Sequence, residues 1–382
     1  MIYFDNAATS YPKPRAVTEE QTRCMLEYCG NAGRGSHALA LAAAEKIYEC
    51  RSLAADFFGA AGEEKVVFTQ NTTMALNIAI KGLLKKGDHV LISDMEHNAV
   101  WRPIEALAKT GFITYDVFPT FAADFERGEE RVCRAICDRL RPNTAMLVCA
   151  HASNICSSVL PLRAIGQICR QRGILFVVDG AQSAGHIPIH MKDMQISALC
   201  LPGHKGLWGP QGSGMLILGD GVIPKPLLEG GSGYQSLESE MPRDLPEHLE
   251  AGTLPTPAIA GLCAGIREVS RIGVDRIGER ERELNRALYE SIRTLSNVTV
   301  YTPHLLGSVL LFNVEGLPAN QTGEMLDRMG FCVRAGYHCA ALAHRTLRTP
   351  VGGAVRVSPG YYNTFSEIEE LARAIREIAK QQ

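Results

Sequence analysis

The chain has 382 residues, 39 Lys plus Arg against 41 Asp plus Glu, and a formal net charge of −2. At about 150 residues per domain this leaves room for two or three domains with a sizeable core. The near-neutral balance excludes a global field that would gather nucleic-acid phosphates or anionic membranes, and 46% hydrophobic with 21% charged residues excludes bulk disorder and fibrous repeats.

The opening MIYFDNAATS carries neither the basic n-region nor the apolar h-region of a secretory signal. From 65 to 219, short β-branched runs alternate with helical patterns: KVVFT (65–69), HVLIS (89–93), FITYDVF (112–118), TAMLVCA (144–150), ILFVVDG (174–180), ISALCL (196–201) and GMLILG (214–219). Several runs are continuously apolar, as in a parallel sheet buried on both faces. Between them, 74–85, 98–109, 129–140 and 162–172 have amphipathic spacing and read as crossover helices. The most apolar stretch, 144–162, is interrupted by His151, Ser153 and Asn154, so none reaches the roughly 18 apolar residues of a membrane helix. A Gly- and Pro-containing stretch over 219–258 reads as a long loop. It is followed by helical patterning over 258–295, a strand at 308–314 and a helix at 320–329. The expectation is a large α/β domain followed by a smaller C-terminal α/β domain, in a soluble protein.

Twelve cysteines are present, none with CxxC spacing, so neither a zinc ribbon nor a thioredoxin-like motif is expected and no metal site is assigned. With no signal sequence, a reducing cytoplasm accounts for eleven of them, all but Cys339, as small apolar residues.

Ligands of an open parallel sheet collect at the carboxyl ends of its strands. There the sequence puts Thr72 and Thr73 opening a helix, His97 after the second run, Asn154 after the fourth and Asp179 at the tip of the fifth, with Gln182 three residues on. Taken singly these read as an N-cap, a structural His and a turn Asn. Lys205, in LPGHKGLWGPQGSG, stands among glycines at another strand end, where partial desolvation lowers an amine's pKa and suits Schiff-base chemistry. A phosphate cradle, an acidic strand tip that needs a cationic partner and this lysine together suggest pyridoxal phosphate. Farther on, Cys339 follows His338 and lies near Arg334, a setting that favours a thiolate, and Arg356 has the fork to hold a carboxylate.

These residues resemble a family: the cysteine desulfurases of the class V aminotransferase fold, in the branch of SufS-type enzymes and selenocysteine lyases. The resemblance runs from YFDNAAT to RVSPGYYNT through TTxAxN, EH (96–97), SN (153–154), DGAQ (179–182), GHKGLWGPQG, EAGTLPTP (250–257) and RAGYHCA. It implies the α/β architecture of pyridoxal-phosphate fold type I, similar to aspartate aminotransferase. A large domain over 14–255 would carry a mostly parallel seven-stranded sheet, and 256–382 with 1–13 would form the smaller domain. Lys205 would bind the cofactor covalently, His97 would stack on its ring, Asp179 would pair with the ring nitrogen and Gln182 would bond the phenolate oxygen. Thr72, Thr73 and His204 would hold the phosphate, joined by Gly252 and Thr253 from the other subunit of a homodimer. Asn154 and Arg356 would hold the substrate carboxylate, with Arg334 in support, and Cys339 would accept sulfur from L-cysteine, yielding L-alanine and a persulfide that passes to an acceptor protein. The alternatives are a selenocysteine lyase or another cysteine-derivative β-lyase, an aminotransferase on the same scaffold or, outside catalysis, a thiol-rich sulfur carrier. Two positions depart from the pattern: Pro202 stands where a phosphate-binding hydroxyl is common, and Tyr337 where the first of two histidines before the cysteine is common.

Overall fold

A computed structural model describes residues 1–33, 35–120, 128–302 and 306–381. In chain order, strand β1 (Ile2–Tyr3) precedes helix α1 (Arg15–Arg23), a π-helical turn (Cys24–Tyr28) and α2 (Ala38–Phe58). The alternating region follows as β2 (Val66–Thr69), α3 (Thr72–Leu83), β3 (His89–Ser93), α4 (Asn98–Lys109), β4 (Thr114–Phe118), α5 (Gly128–Cys137), β5 (Thr144–Ala150), α6 (Leu162–Arg172), β6 (Leu175–Asp179), β7 (Ala198–Pro202) and β8 (Gly214–Leu218). After a long connection come α7 (Thr256–Ile272), α8 (Val274–Ile292), β9 (Val298–Val300), β10 (Leu310–Val314), α9 (Ala319–Arg328), β11 (Phe331–Cys332), β12 (Arg334–Gly336), α10 (Ala341–Thr346), β13 (Ala354–Val357) and α11 (Phe365–Lys380).

The seven expected strands form one sheet in the order β2-β8-β7-β6-β5-β3-β4. The pairs from β4 to β7 are parallel, whereas β8 runs antiparallel to both β7 and β2. Alternate side chains go to opposite faces. Leu91, Leu147, Val178 and Leu199 pack under α2, α6 and α7, while Val90, Ile92, Val148 and Val177 pack under α3 and α4. Both faces are therefore dry away from the edge strand β4, which explains why the other strands read as largely apolar runs.

The helical pattern over 258–295 is two helices, because Gly273 adopts φ 97° and ends α7. Helix α7, on the C-terminal side of the expected 255/256 boundary, buries Ile259, Leu262, Cys263 and Ile266 in the large-sheet core. Helices α8, α9 and α11 cover a second, antiparallel sheet of order β12-β13-β10-β9, and β1 pairs with β11, which brings the N-terminal segment to this side. No helix among the described residues is long and apolar enough to cross a membrane.

Strand β2 lies at the edge of the large sheet, and a buried ion pair takes the place of its missing neighbour. Arg51 of α2 donates to the Val66 carbonyl and pairs with Glu250, whose other oxygen accepts the Phe68 N–H at 2.6 Å. Both charged side chains are nearly buried, so removal of one strands the other without solvent. We expect Glu250→Ala to lower the unfolding free energy by about 3–5 kcal/mol, measured by urea denaturation, with a smaller loss in Glu250→Gln.

Candidate functional site

The carboxyl ends of β3, β5, β6 and β7 face the β12–α10 loop of the smaller sheet across a cavity of about 450 Å³. Of the residues singled out from sequence, Thr72, Thr73, His97, Asn154, Asp179, Gln182, His204, Lys205, Arg334, Cys339 and Arg356 all line it, and so does Pro202. Gly252 and Thr253 do not: they are exposed on their own chain and stand outside this cavity.

At one end, Asn71 caps α3 by accepting the Met74 N–H at 2.9 Å, which leaves first-turn N–H groups free. Beside them, the Thr72 hydroxyl and His204 Nδ1 are buried without a partner. Burial and the nearby Lys205 charge lower the His204 pKa to about 4, so the ring is neutral. Pro202 adds no donor, but the N-terminal segment clasps the same turn. Lys13 Nζ and the Ser10 N–H donate to the His204 carbonyl at 2.7 and 3.1 Å, fixing the backbone before Lys205.

Lys205 is partly buried, and desolvation lowers its pKa from 10.5 to about 8, with Asp179 and Asp5 opposing that fall and Arg356 and Arg334 adding to it. Asp179, buried at the tip of β6, accepts the Ala181 N–H at 2.9 Å, and burial raises its pKa. A cationic ring nitrogen would offset that cost. Gln182 Nε2 donates to the Ala7 carbonyl at 2.9 Å, with a second hydrogen left for a ligand.

His97 is the N-cap of α4, its Nδ1 accepting the Ala99 N–H at 3.0 Å. An accepting Nδ1 assigns the ring proton to Nε2, and burial with the Lys205 charge lowers the pKa to about 4. The preceding residue, Glu96, went unassigned from sequence although it stands in the EH motif. Its fully buried carboxyl accepts from the Ser93 hydroxyl and from the Ala150 N–H at 3.0 Å, tying the end of β3 to the end of β5. Burial raises its pKa to about 8.

On the opposite wall, His338 and Cys339 adopt φ 49° and 53°, left-handed values that side chains with a Cβ rarely take. The strain is held from several sides. Asn154 Nδ2 donates to the His338 carbonyl at 2.8 Å and the Asn98 N–H to the Cys339 carbonyl at 2.7 Å. The His338 ring lies against the ring of His344, which contacts the Thr349 hydroxyl at 2.8 Å. Exposure alone does not single out Cys339. Cys29 and Cys137 are exposed too, contrary to the expectation of eleven apolar fillers; what distinguishes Cys339 is the cavity.

Arg356 of β13 is buried and donates through Nη1 to the Asn154 carbonyl at 3.1 Å and through Nη2 to Asp5 at 2.7 Å. Asp5 also accepts from Arg334 Nε at 3.0 Å, and sequence reading had not singled it out.

An architecture of this kind, with a partly buried lysine and an acidic strand tip at the carboxyl edge of the mixed sheet, defines a pyridoxal-phosphate enzyme scaffold of fold type I. The chain belongs to the class V aminotransferase family, whose pattern ("Aminotransferase class-V") matches residues 2–371. It is similar to a probable cysteine desulfurase of Methanothermobacter thermautotrophicus, 33% identical over 99% of this chain and 94% of the relative. A probable cysteine desulfurase of Pyrococcus abyssi is 32% identical over 100% and 94%. A solved cysteine desulfurase structure from Thermococcus onnurineus superposes with a TM-score of 0.89 at 32% identity, covering 100% of this chain and 95% of that one.

The depressed lysine sets a testable pH dependence. Only the neutral amine attacks an aldehyde, so the rate at which the protein captures pyridoxal phosphate should rise with pH and level off above about 8. An unshifted lysine would still be gaining rate towards 10.5. Stopped-flow absorption of cofactor-free protein follows it.

Proposed function

We propose that the protein is a pyridoxal-phosphate-dependent cysteine desulfurase, converting L-cysteine to L-alanine and taking the sulfur onto Cys339 as a persulfide. The observation that carries this reading is that Lys205 and Cys339, from opposite walls, line one cavity with Arg356. The donor set fits the cofactor. The unpartnered Thr72 hydroxyl and His204 Nδ1, with Thr73 and the open start of α3, would hold the phosphate. Asp179 would hold the ring nitrogen, Gln182 the phenolate oxygen and His97 the ring face, with Lys205 the covalent anchor. When bound, the cofactor supplies an electron sink for charge developing at the substrate Cα.

The chain's own groups divide the remaining work. Arg356 receives the substrate carboxylate beside Asn154, with Arg334 at the rim. Lys205 Nζ, neutral above about pH 8, accepts the Cα proton. His97, with its proton on Nε2, exchanges a proton with the substrate thiol. Cys339 attacks as thiolate: a bond forms between its Sγ and the substrate sulfur, the substrate C–S bond breaks, and the electron pair passes to the carbon that becomes the alanine methyl. A persulfide of this kind is consumed by a thiol-bearing acceptor. The twelve free thiols support a reducing, cytoplasmic setting.

A homodimer is part of the reading. Gly252 and Thr253 stand outside their own cavity, Met25, Leu26, Leu39, Leu41 and Tyr48 are exposed, and Leu41 lines a wide depression together with residues 229–236 and 238–242. Sedimentation at micromolar concentration should give twice the chain mass; a monomer would remove Gly252 and Thr253 from the phosphate site.

For the chemistry, Cys339→Ser should lower alanine formation from L-cysteine by more than about a hundredfold while keeping the cofactor's visible absorption. Lys205→Ala should lose both the activity and that absorption band. Unchanged cysteine turnover in Cys339→Ser would point instead to a β-lyase.

A further inference from the structure

Arg334 and Arg356 are directly opposed across the antiparallel pair β12–β13. Like charges at such a position repel, and Arg356 is buried as well. The relief comes from far away in the chain. Asp5, 351 residues before Arg356, enters from the N-terminal segment and bridges the two, Oδ1 to Arg356 Nη2 at 2.7 Å and Oδ2 to Arg334 Nε at 3.0 Å. Asp5 is itself nearly buried, and the bridge it makes with Ser358 brings its backbone alongside the end of β13.

The bridge also selects which donors remain. Arg356 spends one hydrogen on Asp5 and one on the Asn154 carbonyl, while its Nε–H is buried without a partner in a side chain that lines the cavity. A guanidinium held at two nitrogens cannot turn, so its remaining edge stays aimed at one place. We propose that Asp5 is the positioning residue of the carboxylate site, holding Arg356 and Arg334 side by side so that the free edge of Arg356 meets the α-carboxylate of an amino-acid substrate. This rests on the reading of Arg356 as the carboxylate receptor. Asp5 touches no reacting atom.

The test uses cofactor-loaded protein, with KM and kcat for alanine formation from L-cysteine and, independently of turnover, the Kd of L-alanine from the change in visible absorption. In Asp5→Asn, KM and Kd should rise about tenfold, the loss of one charged hydrogen bond, with kcat within about threefold of wild type. Arg356→Lys should raise both more, and the double variant should be no worse than Arg356→Lys alone, because Asp5 acts through Arg356. An unchanged KM and Kd in Asp5→Asn, a lowered melting temperature as its only effect, or losses that multiply in the double variant would each overturn the proposal. Should Asp5→Asn fail to fold, Arg334→Gln removes the exposed half of the bridge; it should raise the Kd about threefold, and an unchanged Kd would be equally fatal. If wild type forms no alanine, the desulfurase reading falls, while L-alanine binding still decides the role of Asp5.

Discussion

The contact between Arg356 and Asp5 is the joint on which the site depends. It joins β13 of the smaller sheet to the N-terminal segment, and through the Asn154 carbonyl it reaches the loop after β5 of the large sheet. A buried guanidinium without its carboxylate would carry a desolvation cost that few folds tolerate. The guanidinium that Asp5 pairs on the smaller side thus also donates to a backbone carbonyl of the large side, and one buried charge links the two at the cavity.

Around this joint, burial decides the protonation of nearly every group. His97, His204 and His338 are all held neutral, with pKa values of about 4, 4 and 3, because desolvation and neighbouring cations disfavour a further positive charge. The same desolvation brings Lys205 down to about 8. Three uncharged imidazoles thus surround an amine that gives up its proton near pH 8, far below the ordinary range of a lysine. The acids go the other way: Glu96 and Asp179 are raised by burial.

How much of this was legible in the sequence follows from the physics of each element. The large-sheet strands were readable because both faces are dry, and their tips led to Lys205, Asp179 and His97 without knowledge of the pairing. The reversal of β8 was not readable, since a buried antiparallel strand carries the same unbroken apolar run as a parallel one. Helix α2 escaped because half of its buried positions are alanine, with Ala40, Ala43 and Ala54 where larger side chains would have marked a period. Asp5 escaped for a different reason: its partners are more than 300 residues away, and no local spacing records them. Glu96 stands in the EH motif, but its partner on β5, the Ala150 N–H, lies 54 residues away and leaves no mark in local spacing.

The left-handed pair His338–Cys339 bears on how far a sulfur atom can travel. Both carbonyls are tied down, one by the Asn154 side chain and one by the Asn98 N–H at the start of α4. With the backbone pinned at two successive peptides, the Cys339 sulfur moves only by rotation about its own Cα–Cβ bond, a sweep of a few ångströms. This segment is a fixed post rather than a swinging arm. Any molecule that exchanges a group with that sulfur has to bring its reactive atom to the mouth of the cavity and be shaped to do so.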